Sequence, residues 1–140
     1  MRIFIIIICV LILNSCSTTK HVPERKNLLI KNNIYLVENK KLNKYEVNNI
    51  IKQKPNKRIF AGLLKFHLGI YNLSNSSKKN FLNNYFRKIG EKPVIFNEKL
   101  TEKSKLQIER YFKNKGYLNC YVKTLPIFKN QKVTVEYEIK

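Results

Sequence analysis

The sequence predicts an α+β fold in which helices pack on a small sheet. Three observations predict it. Residues 28–37 are rich in β-branched and aromatic residues, apolar residues recur at helical spacing in several segments between residues 43 and 115, and two alternating segments follow Gly116. Hydrophobic residues make up 44% of the 140 residues, so the chain can form a core. We expect one compact domain over residues 28–140, preceded by an export signal and a tether.

An apolar segment near the N-terminus is typical of export signals. Residues 3–13 are apolar, follow Arg2, and are well short of the roughly 20 residues that a membrane-spanning helix needs. The letters LNSC that follow resemble a bacterial lipobox, in which the cysteine is acylated and becomes the new N-terminus, although Asn14 stands where the motif has Ala, Ser or Thr. We predict a signal peptide over residues 1–15 and lipidation of Cys16. An ordinary signal peptide cleaved nearby is the alternative.

The first part of the mature chain is predicted to contain a tether, a strand and a helix. Residues 16–27 are polar and show no periodicity, which is typical of a tether. Residues 28–37 then predict a strand. Asn43 and Glu46 match a capping box, apolar residues follow at helical spacing, and Pro55 is expected to end the helix.

Residues 56–92 are predicted to contain two further apolar elements. The first, within residues 56–75, is too short and too interrupted to cross a bilayer. We expect a buried helix-like segment there, with a membrane-surface or partner-binding element as the alternative. An amphipathic helix is predicted from Ser77 to Gly90, with Gly90 as its C′ residue. The stripe that we expect to enter the core consists of Phe81, Leu82, Tyr85, Phe86 and Ile89.

The C-terminal third is predicted to be a helix followed by a β-hairpin. After a short extended segment at residues 92–96, Thr101 is expected to cap a helix that runs to Lys115 and is stopped by Gly116. Pro126 indicates that the first hairpin strand is an edge strand. The expected inward helical residues are Ile108, Tyr111 and Phe112. The alternating strand residues are Leu118, Cys120 and Val122, then Val133, Val135, Tyr137 and Ile139, with a turn at Lys129, Asn130 and Gln131.

The net charge of +19 is the strongest bias in the composition. Such a charge is typical of proteins that bind nucleic acid or an anionic membrane surface. The lysines are dispersed, however, and Lys, Asn, Ile, Tyr and Phe are all frequent, as expected from an AT-rich genome. We therefore expect no nucleic-acid partner, and a basic surface that is favourable beside anionic lipid.

No arrangement of residues predicts catalysis, a metal or a cofactor. The sequence has no aspartate, and HExxH, GxSxG and phosphate-binding glycine loops do not occur. His21 and His67 lie in the tether and in the apolar segment, so we expect no metal pair. Glu136 and Glu138 share one strand face, where we expect solvent rather than a pair of catalytic carboxylates. We predict that the protein is not an enzyme.

The three cysteines predict no disulfide framework. Cys9 lies in the predicted signal peptide and Cys16 is the predicted lipid acceptor. Cys120 then has no partner within the chain, and we expect it to be a small, buried, apolar side chain.

The sequence GYLNCYV, which begins at Gly116, carries a resemblance to a known family. A helix that ends in Gly-Tyr, followed by two alternating strands, resembles the end of a POTRA domain, a β-α-α-β-β module with two helices on a three-stranded sheet. Residues 29–54 resemble its first strand and helix, and residues 97–139 resemble its second helix and last two strands. Residues 56–92 would be an insertion between the two helices.

Further phrases narrow the resemblance. CSTTK, QKPNKR, YNL and IGEKPV occur in this order and together resemble the N-terminus of Bacteroidetes-type outer-membrane proteins of the BamA/TamA assembly family. Members of that family use periplasmic POTRA domains to receive unfolded outer-membrane proteins and pass them to a C-terminal β-barrel. This chain stops at Lys140, so we expect a fragment of a longer barrel protein, the product of a decayed gene, or a free-standing lipid-tethered module.

The resemblance implies a place and partners. The implied location is the periplasmic face of the outer membrane, with the lipid anchor in the membrane. The implied partners are unfolded outer-membrane proteins or other subunits of the assembly machinery. The alternative function is that of a basic lipoprotein that binds an anionic membrane surface or polymer.

The predicted mechanism is strand addition. An edge strand has unpaired N–H and C=O groups, with which an extended client can pair without a fixed sequence. We predict that residues 118–125 supply this edge and that Pro126 limits pairing to the part before it. The residues assigned to client binding are Leu118, Asn119, Cys120, Tyr121, Val122 and Lys123. The alternative is that the edge pairs with a neighbouring domain or with nothing.

Overall fold

The computed structural model describes residues 18–36, 43–58, 66–74 and 80–140. The predicted signal peptide and Cys16 lie outside these residues. The chain divides into two compact units. The sheet unit comprises Pro23–Pro55 and Val94–Lys140, and the insertion unit comprises Met1–Val22 and Asn56–Pro93.

The sheet unit contains a three-stranded sheet in the order β1-β3-β2. The strands are β1 (Leu28–Leu36), β2 (Val122–Lys129) and β3 (Lys132–Ile139). The central strand β3 runs parallel to β1 and antiparallel to β2. This confirms the predicted α+β class, the first strand, the hairpin and the edge position of the strand that contains Pro126.

The hairpin turn consists of Asn130 and Gln131, whose φ angles are 47° and 58°. Two residues with positive φ form the type I′ turn, whose twist matches that of the flanking strands. The predicted start of the first hairpin strand is wrong, because β2 begins at Val122 rather than at residue 118. The preceding residues close the helix instead: Gly116 has φ 91°, and the Cys120 N–H donates to the Tyr117 carbonyl at 3.2 Å.

Helix α1 (Lys44–Ile50) begins at the predicted cap. The Asn43 side chain accepts from the Tyr45 N–H at 3.1 Å and donates to the Glu46 carboxylate at 3.1 Å. The helix ends earlier than the predicted Pro55, since Ile51 is already extended. Ile51 is buried in the core, and this burial turns the chain before the proline is reached.

The long helix of the sheet unit, here called α4 (Glu98–Asn114), starts earlier than predicted. Its N-cap is Asn97, whose side chain accepts from the Leu100 N–H at 3.3 Å, so the assignment of the cap to Thr101 is wrong. Thr101 is buried inside the helix, where its hydroxyl lies beside that of Tyr137. Burial raises the pKa of Tyr137. The predicted stop at Gly116 is confirmed.

The core of the sheet unit lies between the sheet and helices α1 and α4. Alternate residues of β3 are buried because a strand directs successive side chains to opposite faces. The predicted inward positions Ile108 and Phe112 are buried, and Tyr111 packs against the same cluster. The buried cluster consists of Leu29, Val47, Ile51, Ile108, Phe112, Val122, Val133, Val135, Tyr137 and Ile139.

The insertion unit contains helices α2 (Phe66–Leu73) and α3 (Phe81–Ile89). Leu68 is fully buried, which agrees with a helix-like buried segment. The segment at residues 18–22, part of the predicted tether, contacts α2. The Lys20 ammonium donates to the Asn72 carbonyl at 2.9 Å, and the His21 ring nitrogen Nε2 lies 3.0 Å from the Ser74 carbonyl.

The predicted core stripe of α3 is exposed. None of the nine residues of α3 is buried, and Phe81 and Leu82 are 82% and 64% exposed. The helix follows Asn80, while Ser77 lies outside the described residues. A helical periodicity places apolar residues on one face but does not state what covers that face.

Gly90 also differs from its prediction. Its φ of −72° is not left-handed, so it is the C-cap of α3 and not a C′ glycine. A Cβ at this position would lie 2.6 Å from the backbone nitrogen of Tyr71. The glycine is therefore required by the close approach of two backbones within the insertion unit.

Among the described residues, no helix combines the length and the apolar character needed to span a bilayer.

A charged cluster joins α1 to α4 at the surface of the sheet unit. The Glu46 carboxylate accepts from the Lys115 ammonium at 2.8 Å and from the Tyr111 hydroxyl. The hydrogen bond from Lys115, and then that from Tyr111, lowers the pKa of Glu46 below its ordinary value of 4.5. The same bond raises the pKa of Lys115.

We expect Glu46→Gln to remove part of the acid sensitivity of the fold. A carboxyl whose pKa is lowered in the folded state adds stability above its unfolded pKa, and this contribution is lost as the pH falls through the folded pKa. In the wild type, this share of the stability therefore declines below about pH 4.5. Urea unfolding at pH 7 and at pH 3 measures the change.

The control for this experiment is Glu102→Gln, which removes the same charge from a pair with Lys105 inside α4. We expect Glu46→Gln to lower the free energy of unfolding at pH 7. The difference between the free energies of unfolding at pH 7 and at pH 3 should then be smaller than in the wild type. Equal pH profiles for the two variants would contradict the assigned role of Glu46.

Candidate functional site

The structure separates the six residues predicted to form the binding edge. Leu118 and Asn119 lie in the exposed turn after α4, and Leu118 is 76% exposed. Cys120 is half-buried and packs against the core cluster. Tyr121 extends the ladder, since it exchanges both backbone hydrogen bonds with Lys140 at 3.0 and 2.9 Å. Val122 and Lys123, the last two residues of the set, lie in β2.

The hairpin register fixes which backbone groups of β2 face outward. In an antiparallel ladder, pairs that exchange both hydrogen bonds alternate with pairs that exchange none. Because Tyr121 and Lys140 exchange both, the N–H and C=O groups of every second residue after Tyr121 also face β3. The backbone groups that face the outer side of β2 belong to Val122, Thr124, Pro126 and Phe128.

Two of these four positions do not offer an N–H group. The Val122 N–H donates to the Glu109 carboxylate of α4 at 3.0 Å. Pro126 has no N–H. Along β2, in the part of the chain that the structure describes, the outward N–H groups left for a further strand are those of Thr124 and Phe128.

Glu109 is a residue that sequence reasoning missed. It lies on α4 and is half-buried, whereas the strand that it caps begins 13 residues later. Nothing in the local pattern distinguishes this glutamate from the others on the helix. An outward edge that is capped at one point and interrupted at another resembles the protection that natural proteins give to exposed strands.

The side chains along this edge become more apolar towards the turn. Leu125 is half-buried, and Ile127 and Phe128 are 52% and 55% exposed. The Phe128 ring makes an edge contact with Phe96 at 5.7 Å between centroids. Lys123 and Lys129 are exposed on the same strand, so the edge carries positive charge beside its apolar side chains.

The other sheet edge, β1, is covered over its first half. The Leu29 N–H donates to the Val94 carbonyl at 2.8 Å, and the Phe96 N–H donates to the Asn27 carbonyl at 2.8 Å. The predicted extended segment at residues 92–96 thus contributes a bridge at Ile95 next to β1.

The second half of β1 borders a groove of about 380 Å³. The parallel register with β3 directs the backbone groups of Asn32, Ile34 and Leu36 towards the outer side. Residues 31–35 line the groove together with Lys44 and Asn48 of α1. The Asn32 side chain donates to the Gln53 carbonyl at 2.8 Å, so this edge is partly occupied by polar side chains.

The titratable side chains that could take part in catalysis or metal binding do not cluster in the part of the chain that the structure describes. Glu136 accepts from the Asn33 amide and from the Tyr35 hydroxyl, both at 3.2 Å, and so connects β3 to β1. Desolvation, and then the charge of Glu136, raises the pKa of Tyr35. Within the described ranges, no group of three or more His, Cys, Asp or Glu side chains could hold a metal ion.

The comparison with known families agrees with this architecture. A family model described as POTRA, surface antigen variable number repeat, matches residues 30–140, which is more than half of the chain. No curated protein and no solved structure matched the chain. Within the described residues, the matched region contains most of β1, four helices and the β2–β3 hairpin of one three-stranded sheet. The chain therefore belongs to the POTRA family, whose members are periplasmic polypeptide-binding modules of outer-membrane assembly proteins.

Proposed function

We propose that the sheet unit receives extended segments of unfolded outer-membrane proteins by adding their backbone to the outer edge of β2. The observation that carries this proposal is the outward N–H and C=O of Thr124, which face away from β3. An edge with unpaired backbone groups binds an extended chain through main-chain hydrogen bonds, so it accepts many client sequences.

The proposed binding site is shorter than the strand. On one side Glu109 occupies the Val122 N–H, although the Val122 carbonyl still faces outward. On the other side Pro126 contributes only a carbonyl. A client strand centred opposite Thr124 would therefore form its complete two-bond pair there, with further bonds to the outward carbonyls and to the Phe128 N–H. Apolar client side chains would contact Ile127 and Phe128, which are exposed.

We place this module in a Bacteroidetes-type BamA/TamA assembly protein, as residues 28–140 of a lipoprotein with residues 56–92 inserted. The phrases from CSTTK to IGEKPV support the family, and the LNSC motif supports a lipid on Cys16. The lipid would hold the protein to the periplasmic face of the outer membrane. Each buried acyl CH₂ contributes about 0.8 kcal/mol to such an anchor. Other assembly subunits are further candidate partners.

The experiment is a titration of the isotope-labelled full chain with a peptide of about ten residues, the length of a membrane-spanning strand, with alternating apolar and polar side chains. We expect the largest amide shifts at Thr124 and Phe128. Thr124→Pro removes the outward N–H and should weaken binding at least about fivefold, since a hydrogen bond contributes about 1 kcal/mol.

The matched control is Thr124→Val, which keeps the N–H and should bind as the wild type does. Equal loss in both variants would show that the side chain, and not the backbone, binds the peptide. Shifts confined to residues 32–36 would place the peptide at the β1 groove and reject the β2 edge. A steep loss of binding at high salt would favour the alternative, a basic surface for anionic membrane or polymer.

A further inference from the structure

The apolar stripe of α3 is an exposed surface that strand addition does not use. The stripe residues are Phe81, Leu82, Tyr85 and Ile89, with exposed fractions of 82%, 64%, 52% and 42%. Successive residues of a helix lie about 100° apart, so these four side chains fall within an arc of about 100°. Phe86, at the edge of the stripe about 40° beyond Leu82, and Asn83, on the far side of the helix, are half-buried.

Such a stripe is costly in water unless something covers it. Contiguous exposed apolar surface on a folded protein usually marks a site of contact with another protein or with a membrane. Two large aromatic side chains and two branched aliphatic side chains form this stripe within a helix of nine residues. The charge around the helix decides between the two kinds of contact.

The charge near the stripe is predominantly positive. Residues 56–93 contain eight basic residues and one acidic residue, Glu91, although the whole chain has nine acidic residues. Arg87 and Lys88 lie in the last turn of α3, and Lys78 and Lys79 precede it in sequence. A helix with an apolar stripe and basic flanks is typical of segments that lie in the interface of an anionic bilayer.

The contacts of the N-terminal segment with the insertion unit also favour a membrane contact. Lys20 is hydrogen-bonded to the Asn72 carbonyl of α2, and His21 to the carbonyl of Ser74, the residue that follows α2, in the same unit as α3. Cys16 precedes Lys20 by four residues, which span at most about 14 Å at roughly 3.5 Å per residue. With the lipid on Cys16 that is proposed above, α2 would be held close to the bilayer surface. The stripe and its charge stand without this lipid, which adds proximity.

We propose that α3 lies in the plane of an anionic bilayer surface, with the stripe in the interface and Lys88 at the headgroups. Lys88 lies about 20° from Phe81 around the helix, so its aliphatic part borders the stripe while its charge remains in water, whereas Arg87 lies on the opposite face. The inserted segment is then a membrane-contacting element of the module, in addition to the proposed lipid anchor.

The test uses the absence of tryptophan from the chain. Tyr85→Trp places a single tryptophan in the stripe of the full-length protein, and its emission can be excited separately from that of the remaining tyrosines. The protein is mixed with vesicles of phosphatidylethanolamine and phosphatidylglycerol, with or without brominated acyl chains. We expect a shift of the emission to shorter wavelength and loss of its intensity with the brominated lipid. A position-specific readout is needed because residues 3–13 would carry the whole chain onto vesicles in any case.

The matched control is Asn84→Trp, which lies one residue away and about 100° around the same helix. Its emission should shift less and be quenched less. Equal quenching at the two positions, or none at Tyr85→Trp, would overturn the proposal. Quenching of Tyr85→Trp by brominated phosphatidylcholine vesicles, which carry no net charge, to the same extent as by the anionic vesicles would also overturn it. Emission that is already shifted before vesicles are added would overturn it as well, since the stripe would then be covered in the absence of lipid.

Discussion

Replacing Ile108 by alanine is expected to lower the free energy of unfolding of the sheet unit by about 2–5 kcal/mol. Ile108 is fully buried and belongs to the cluster between α4 and the sheet. The truncation removes apolar atoms and leaves a cavity that close-packed neighbours fill only in part. Because a whole domain is stable by about 5–15 kcal/mol, this loss is a large share of the total.

Amide hydrogen exchange of β3 measures this loss, since β3 is the central strand of the sheet. The matched control is Leu106→Ala, two residues away on α4, where the side chain is 45% exposed. Its effect should stay within about 0.5 kcal/mol, as for most surface substitutions. Similar losses for the two variants would mean that α4 does not bury its Ile108 face against the sheet.

Gly90→Ala is expected to force α2 and α3 apart. The added Cβ would lie 2.6 Å from the Tyr71 nitrogen and 2.7 Å from its Cα. Backbone atoms cannot rotate out of the way as a side chain does, so one of the two helices must move. Overpacking of this kind costs about 1–3 kcal/mol. Faster amide exchange in α2 and α3, with β3 unchanged, is the expected measurement.

Gly69→Ala, in the same unit, is expected to have the opposite effect on amide exchange in α2. Gly69 lies inside α2, and a Cβ there would meet no described atom within 4 Å. Alanine favours the helix over glycine by about 1 kcal/mol, so exchange in α2 should slow. If both glycine variants changed exchange in the same direction, the contact at Gly90 would not control the packing of the two helices.

The strands and the hairpin could be predicted because their signals are local. Val133, Val135, Tyr137 and Ile139 alternate with polar residues, and the period of two leaves one orientation that buries them. Pro126 indicated an edge strand, since a central strand would lose a ladder hydrogen bond at proline. The end of α4 could also be predicted, because Gly116 adopts the left-handed conformation that commonly follows the last residue of a helix.

The helix starts and ends were predicted less well because several residues compete for each role. Asn97 and Thr101 are both capping residue types, and only the packing of α4 shows that Thr101 is buried beside Tyr137. The α1 helix ends at Ile50 because Ile51 enters the core, a contact that Pro55 does not reveal. Local propensity allows a helix to start or end at several neighbouring residues, and tertiary packing determines which of them is used.

Local patterns along the chain were enough to predict the α+β class, the order of the strands along the chain, the edge position of β2 and the outline of a POTRA domain. The backbone groups of that edge that remain for a partner emerged from the fold, because the carboxylate that occupies the Val122 N–H comes from α4. The exposure of the stripe of α3 also emerged from the fold. The physical reason is the same in both cases: periodicity fixes the direction of a side chain relative to its own backbone, whereas the atoms that face it belong to distant residues.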